Sequence, residues 1–255
     1  MRTQARLAAV IAGILGLLAA RVAYSGGRVE YAFDLANFTT PLLIDNAYLP
    51  LLPGLRVVVA EVSVDECIVD ETQVTGDSKD DFTGAYAGLS ARVVSDRAWL
   101  DADCDGGRDR LLEDTFDWYA QDDDGNVWYV GEATTAFEYD DAGNPTGTST
   151  EGSWEAGRDG AIAGLIMLAE PAAGDFYQQE FSAGVAEDAA KVVGVGRNVT
   201  TGLGTFADCL VTKEWSSLSP GAIEHKYYCP DLGLVLVREF HGKTTIAETV
   251  DIDMP

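Results

Sequence analysis

The chain has 255 residues, 42 of them acidic and 17 basic, and its net charge at neutral pH is −25. Phosphate binding needs clustered Lys and Arg, so this balance excludes nucleic acid as a partner, and an anionic membrane surface would repel the chain. A cation or a small polar ligand fits the charge; so does adaptation to high salt, which produces the same composition.

Met1, Arg2 and Arg6 precede an apolar run from Leu7 to Ala20, with small residues after it. These are the parts of a secretory signal, with cleavage expected after Ser25. The run is shorter than the ~20 residues that span a bilayer, although Arg21 behind it also suits an uncleaved N-terminal anchor. Removing residues 1–25 takes away Arg2, Arg6 and Arg21 and no acid, so the net charge goes from −25 to −28. The expected location is secreted or periplasmic, in the cell envelope. There Cys67, Cys104, Cys209 and Cys229 read as two disulfides. No CxxC pair is present, which argues against zinc.

Residues 26–45 lack a clear period and read as a lead-in. A single β-rich domain is expected over 46–255, opening on the two prolines of NAYLPLLPG (46–54). From there Gly, Asn and Asp punctuate runs rich in Val, Trp, Tyr, Phe and Thr, as in an antiparallel β protein. Two short helices are expected, over Asp159–Ala169 and Val185–Val193, the second with Glu187 and Asp188 in its first turn and Lys191 near its end.

Residues 96–141 are the densest acidic stretch and support three readings. Asp101, Asp103 and Asp105 alternate ahead of Gly106, like the opening of an EF-hand loop, but Leu112 stands where the bidentate Glu belongs. A looser calcium loop of Asp101, Asp103, Asp105 and Asp109 is the remaining form of that reading. The second is a carboxylate pair. A two-residue turn at Asp124-Gly125 sets Asp117 opposite Glu132, and facing acids need a cation or a shared proton between them. That would serve metal binding or glycosidase-like acid/base work. A three-residue turn sets Asp117 opposite Gly131 and removes the pair. The third makes Asp122, Asp123 and Asp124 a plain hairpin turn.

A second polar group follows. Trp154 and Glu155, Glu180, and the pair Glu187 and Asp188 combine acids and an aromatic beside glycine-containing backbone. Glu155 with Glu180 is a second candidate catalytic pair, Glu187 with Asp188 a candidate metal pair or a helix N-terminus, and Trp154 a stacking platform for a ligand. No GxSxG, HExxH, Walker or GxGxxG motif occurs.

Toward the C-terminus, strands over 207–215 and 222–229 flank SSLSPG. If the loop is symmetric about Ser219, Cys209 faces Cys229, and Val211, Lys213 and Trp215 face Tyr227, His225 and Ile223. That face is the more apolar and is expected to point inward, making His225 and Tyr227 candidate ligand-binding residues. By elimination Cys67 pairs with Cys104.

The segments DWYAQDDDGNVWYVGE (117–132), TEGSWEAG (150–157), YQQE (177–180) with GVAED (184–188), and VTKEWSSLSPG (211–221) with EHKYYCPDLGLVL (224–236) resemble a family of exported bacterial proteins with no established activity. The resemblance runs from about Asn46 to Glu239 and implies no catalytic residue. That family has a small residue at the position of Cys229, so the second disulfide rests on the hairpin register. YLPLLPG and YYCPDLGLV also resemble periplasmic half-barrels of the lipoprotein-carrier type. The fold expected is mainly β, a curved antiparallel sheet or half-barrel with one or two short helices. The function expected is non-enzymatic binding of a small ligand or cation in the envelope, with Ca²⁺ the candidate cofactor. The alternatives are a carboxylate-based hydrolase acting on carbohydrate and a calcium-stabilised structural protein.

Overall fold

The computed structural model describes residues 32–63, 66–241 and 243–255; the signal-like segment 1–25 lies outside them. The N-terminal half is a meander of β1 (Arg56–Val62), β2 (Cys67–Lys79), β3 (Ala91–Asp101), β4 (Arg110–Gln121) and β5 (Val127–Tyr139). The C-terminal half is a second meander of β11 (Asp188–Thr201), β12 (Gly204–Ser216), β13 (Ile223–Cys229), β14 (Gly233–His241) and β15 (Lys243–Asp253). β1 pairs antiparallel with β15 and joins the halves. Between them lie β6 (Pro145–Ser149), β7 (Trp154–Glu155), β8 (Ile162–Met167), β9 (Phe176–Gln178) and β10 (Glu180–Phe181). β6, β7 and β8 all pair with β5.

The half-barrel expectation is met and exceeded, because the sheet nearly closes. Thirteen strands follow one another along its path, from β10 to β9. β9 and β10 are separated only by Gln179. β9 pairs with β11 and β10 with β8, so one short run holds both edges of the sheet. Gln179 donates its backbone N–H to the Asp188 carbonyl at 2.7 Å. A Cβ on Gly164 of β8 would lie 2.4 Å from the Gln179 carbonyl, so glycine permits this approach.

Both expected helices are corrected to strands. Among the described residues the helical turns are two 3-10 pieces, Leu35–Asn37 and Gly84–Tyr86. Residues 162–167 pair with β5 and β10, an outcome a short apolar run leaves open. From Ala190 the buried and exposed residues alternate (Ala190 in, Lys191 out, Val192 in, Val193 out), which is the strand period. Glu187 and Asp188 therefore cap no helix.

Both disulfides form, Cys67–Cys104 with Cα atoms 5.5 Å apart and Cys209–Cys229 at 4.2 Å. The register expected for the last hairpin is the one observed, with Val211 opposite Tyr227 and Lys213 opposite His225. Its faces are the reverse of those expected. Leu210, Thr212, Glu214 and Tyr228 are buried inside the barrel, while Lys213, Trp215, His225 and Tyr227 are half-buried on the outer face. The Cys209–Cys229 bridge lies on that outer face, covered by Val199, Val235 and Leu236.

One end of the barrel is filled with apolar side chains. Val74, Val94, Val127, Val192 and Leu210 point into it from the strands, and Ile44, Leu51 and Leu55 plug it from the chain before β1. The lead-in packs at the same end but on the outer face, where Trp128 stands opposite Ala120. The Phe33 ring lies 4.4 Å from Tyr86 and 5.6 Å from Trp128, centroid to centroid.

Candidate functional site

Away from the plug, the same inner face turns acidic. On β2 the inward sequence is Val74, Thr72, Asp70; on β3 it is Val94, Asp96, Ala98; on β4 it is Tyr119, Asp117, Thr115, Glu113. Strand alternation and the cross-strand register bring Glu132 from β5, Glu180 from β10, Asp188 from β11, Glu214 from β12 and Glu224 from β13 to the same face. Glu61 and Glu239 extend the group. Among the described residues, Lys226 is the cation placed within it.

Asp117 does face Glu132, although the turn takes the three-residue register, because a bulge shifts the pairing by one before it reaches them. Next to the turn Gln121 faces Val127 and Tyr119 faces Tyr129; beyond a bulge, Asp117 faces Glu132 and Glu113 faces Ala136. The bulge falls at Gly131, whose φ of +136° suits glycine and where a Cβ would lie 2.5 Å from the Trp154 carbonyl oxygen. It aims Tyr129 at both acids. The phenol donates to Asp117 at 2.5 Å and lies 3.1 Å from Glu132 Oε2. One hydroxyl has one proton, so two ionised acids cannot both be satisfied there.

Burial is the first cause of the raised pKa values in this group. Asp117 is pushed up to about 8 by burial and then by Asp96. Glu132 is raised well above the usual carboxylate range by burial, Asp117 and Glu180, and Glu180 by burial, Asp188 and Asp117. Burial and neighbouring acids hold Asp70 high, and it shares a hydrogen bond with Asp96, which also accepts from the Thr72 hydroxyl at 2.9 Å. Asp188 and Glu61 are both pushed to about 7, again chiefly by burial. The pattern matches buried carboxyls that share protons.

Several polar atoms on this face lack a hydrogen-bond partner, among them Glu132 Oε1, Glu180 Oε2, Trp154 Nε1, Tyr177 Oη and Asp188 Oδ1. Trp154 stands opposite Glu132 across the β5–β7 pair, and its indole neighbours the Glu180 carboxyl. Lys226 Nζ lies 3.1 Å from Glu214 and 3.2 Å from Glu224. A cavity of about 30 Å³ opens beside it, lined by Asp188, Glu214, Ser216 and Glu224 among others, with room for a water and not for a sugar ring.

The remaining expected site residues are placed as follows. Glu155 does not join Glu180. It alternates with Trp154 and so takes the opposite face, where it pairs with Lys79 at 3.1 Å and with Arg158. Glu187 accepts from the Ser217 hydroxyl at 2.6 Å, and its neighbour Asp188 points inward, so the two do not form a metal pair. His225 lies outside, edge-on to Phe240, and Tyr227 lies outside under Arg238; neither reaches the interior. Asp101, Asp103 and Asp109 do converge, offering oxygens within 4.8 Å of one another. Asp105 turns its carboxylate back on the Gly107 N–H at 2.9 Å.

Asp122, Asp123 and Asp124 form a turn, as in the third reading, and each has a structural partner. Asp122 accepts from the Trp128 indole at 2.8 Å and from the Asn126 N–H at 2.8 Å. Asp123 accepts from the Thr39 N–H and hydroxyl, and Asp124 from Asn37.

Asp70, Asp96, Glu113, Glu214 and Glu224 are not singled out by the sequence reading. The available signal is alternation. Asp70 with Thr72, Glu113 with Thr115 and Asp117, and Thr212 with Glu214 are polar at every second position, which marks one polar strand face.

No family model matches the chain, and no curated protein matches it. Two solved structures are similar to it: a candidate exported protein of YmcC-like fold from Bacteroides fragilis and a candidate lipoprotein from Parabacteroides distasonis. The first is 13% identical, with a TM-score of 0.43 over 82% of this chain and 100% of that one. The second is 11% identical, with a TM-score of 0.41 over 82% of this chain and 99% of that one. Neither description names an activity or a ligand.

Proposed function

We propose that this is an exported, non-enzymatic binding protein that takes a cation into the acidic end of its barrel. The observation that carries the reading is the inner face itself, where acids from both meanders converge around one lysine and several of their oxygens are unpartnered. Buried carboxylates without partners are costly, and a bound cation removes that cost. The two disulfides suit an oxidising, extracytoplasmic compartment. A carbohydrate hydrolase is less well supported. A glycosidase presents its two carboxyls to an open cleft, whereas Asp117 and Glu132 are 8% and 1% exposed.

A ligand that binds only the native state raises its melting temperature. A panel of metal ions and organic cations, each scanned by calorimetry, is expected to contain at least one that stabilises the wild type and loses its effect in Glu132→Gln. A panel in which nothing binds or stabilises would remove the reading. The convergence of Asp101, Asp103 and Asp109 favours a second cation place, a calcium loop tied to β2 through Cys104. Its signature is a calcium-dependent stabilisation lost in Asp103→Asn and kept in Glu132→Gln.

A further inference from the structure

The plugged end of the barrel carries a buried charge of the opposite sign. Arg92 stands on β3 two residues before Val94 and so shares its inward face. It is 8% exposed, and among the described residues no other Lys or Arg is buried as deeply. Lys226, at the acidic end, has Glu214 and Glu224 beside it. Arg92 forms no ion pair with any described acid. Asp96, the inward acid of the same strand, lies four residues on, about 13 Å at the strand rise, with Val94 between.

The partners of Arg92 are backbone carbonyls. Nη1 donates to Asp77 at 3.3 Å and to Thr75 at 3.5 Å, and Nη2 donates to Leu42 at 3.0 Å. A guanidinium has five N–H donors. Two are left over, one on Nη2 and the one on Nε, which has no acceptor. These two nitrogens form one edge of the planar group, and such an edge holds a carboxylate by two parallel hydrogen bonds. A buried charge met only by carbonyl dipoles, with a donor unsatisfied, is costly, and a carboxylate removes that cost.

Arg92 is also the one buried residue lining a cleft of about 490 Å³. Pro41, Leu42, Leu43, Leu52 and Pro53 give the cleft an apolar wall, and Leu43, Pro53, Thr39 and Thr40 are exposed, so it opens to solvent. The volume falls within the roughly 300–1,000 Å³ of small-molecule sites, which are likewise mostly apolar with a few polar groups that fix orientation. An apolar wall with one cation at its base fits an apolar body with one anionic end. We propose that this cleft binds an apolar monocarboxylate of the fatty-acid type, with its carboxylate on the Nε–Nη2 edge of Arg92 and its chain along Leu42, Leu43 and Leu52. The site is independent of the cation reading and lies across the plug from the acidic end. Two acids stand at its rim, Asp80 bonded to Ser90 and Asp123 bonded to Thr39, and both are exposed, where water and salt screen them.

The test uses the full mature chain with octanoate, with 1-octanol as the same tail without charge, and with acetate as the head group alone. Binding is read by titration calorimetry and by melting temperature in the wild type, Arg92→Gln, Leu43→Asp and Glu132→Gln. Octanoate is expected to bind and stabilise, and acetate to do neither. Octanol should bind at least about tenfold more weakly than octanoate, the scale of one charged hydrogen bond. Arg92→Gln should remove the advantage of octanoate over octanol. Leu43→Asp, which sets a like charge at the mouth, should weaken octanoate severalfold, and Glu132→Gln at the acidic end should leave it unchanged. Leu43 is 54% exposed, so its variant keeps the fold and decides the matter if Arg92→Gln, which also loses the carbonyl bonds, does not fold. No binding of octanoate, octanol matching octanoate, or octanoate binding that neither Arg92→Gln nor Leu43→Asp alters would overturn the site. The cation reading stands or falls separately, on the cation panel.

Discussion

At one end of the barrel the inner face closes on Val74, Val94, Ile44 and Leu51; at the other, the same strands turn Asp70, Asp96, Asp117 and Glu132 inward. β2 alone passes from Val74 to Asp70 in four residues. The apolar end gains free energy by removing large side chains from water. The acidic end gains little of this and desolvates carboxyls besides. The plugged end stabilises the barrel, and the acidic end is where the proposed cation would bind. A chain can keep unpartnered acids on its inner face only because the plug and two disulfides hold the barrel together.

The largest effect is expected from breaking the apolar packing that the lead-in makes over the outer face of the plugged end. Trp128 is 4% exposed, packs against Phe33 and Phe38, and donates its indole N–H to Asp122. Trp128→Ala should cost about 3–5 kcal/mol, the range for emptying a large aromatic site. Urea unfolding reads this directly. A loss below about 1 kcal/mol would mean that the apolar packing at this end is not what stabilises the barrel.

The acidic end should behave in the opposite way. A carboxyl whose pKa is raised on folding keeps its proton in the native state where the unfolded chain has lost it. Its contribution is complete below about pH 4, near the unfolded pKa. It falls as pH rises and levels off above the folded values, about 7 for Glu61 and Asp188 and about 8 for Asp117. Asp80, Asp81 and Asp140 shift the other way but are fully exposed, where solvent screens them. Calorimetry is expected to show the melting temperature dropping between pH 5 and pH 8. Asp117→Asn, which still accepts from Tyr129, should flatten that drop. It should gain on the order of 5 kcal/mol at pH 8, about 1 kcal/mol at pH 5 and nothing below pH 4, since each unit of raised pKa corresponds to about 1.4 kcal/mol. Stability climbing toward pH 8, or a variant weaker there than the wild type, would show that the acids are paired and stabilising.

The contrast between the ends also explains what was legible in the sequence. Turn residues and β-branched runs marked the strands, and one register placed Cys209 against Cys229. The opposition of Asp117 and Glu132 was legible as one of two registers; the bulge at Gly131 that combines them was not, because it depends on β7 lying close alongside β5. Face assignment failed at the acidic end for a physical reason. The rule that the apolar face points inward assumes an apolar core. Here the inner face is polar, and aromatics such as Trp118, Trp215 and Tyr227 lie outside beneath Lys79, Lys213 and Arg238. Nothing local in YQQE (177–180) says that this run touches both edges of the sheet, and the pairing of β1 with β15 joins residues nearly the whole domain apart.

The smallest expected effect tests whether the aspartate turn belongs to the plug. Asp123 Oδ1 accepts from the Thr39 N–H at 2.9 Å and from its hydroxyl at 2.8 Å, and the Asp123 N–H donates to the Asn37 carbonyl at 2.7 Å. A solvated turn has no such contacts, and its aspartates could be replaced at no cost. A latch holds residues 37–39 against the end of the β4–β5 hairpin, and through them Phe33 and Phe38 against Trp128. Asp123→Ala removes the side-chain acceptor and keeps the backbone bond. Global stability should fall by about 1 kcal/mol, the net worth of a hydrogen-bonding carboxylate in partial contact with water. The more telling readout is local. Amide exchange at Thr39 and Phe38 should quicken, while that in β12 and β13, across the barrel, should not change. Equal exchange at residues 38 and 39 in the variant and the wild type would return the aspartates to an ordinary turn and leave the plug to its apolar contacts.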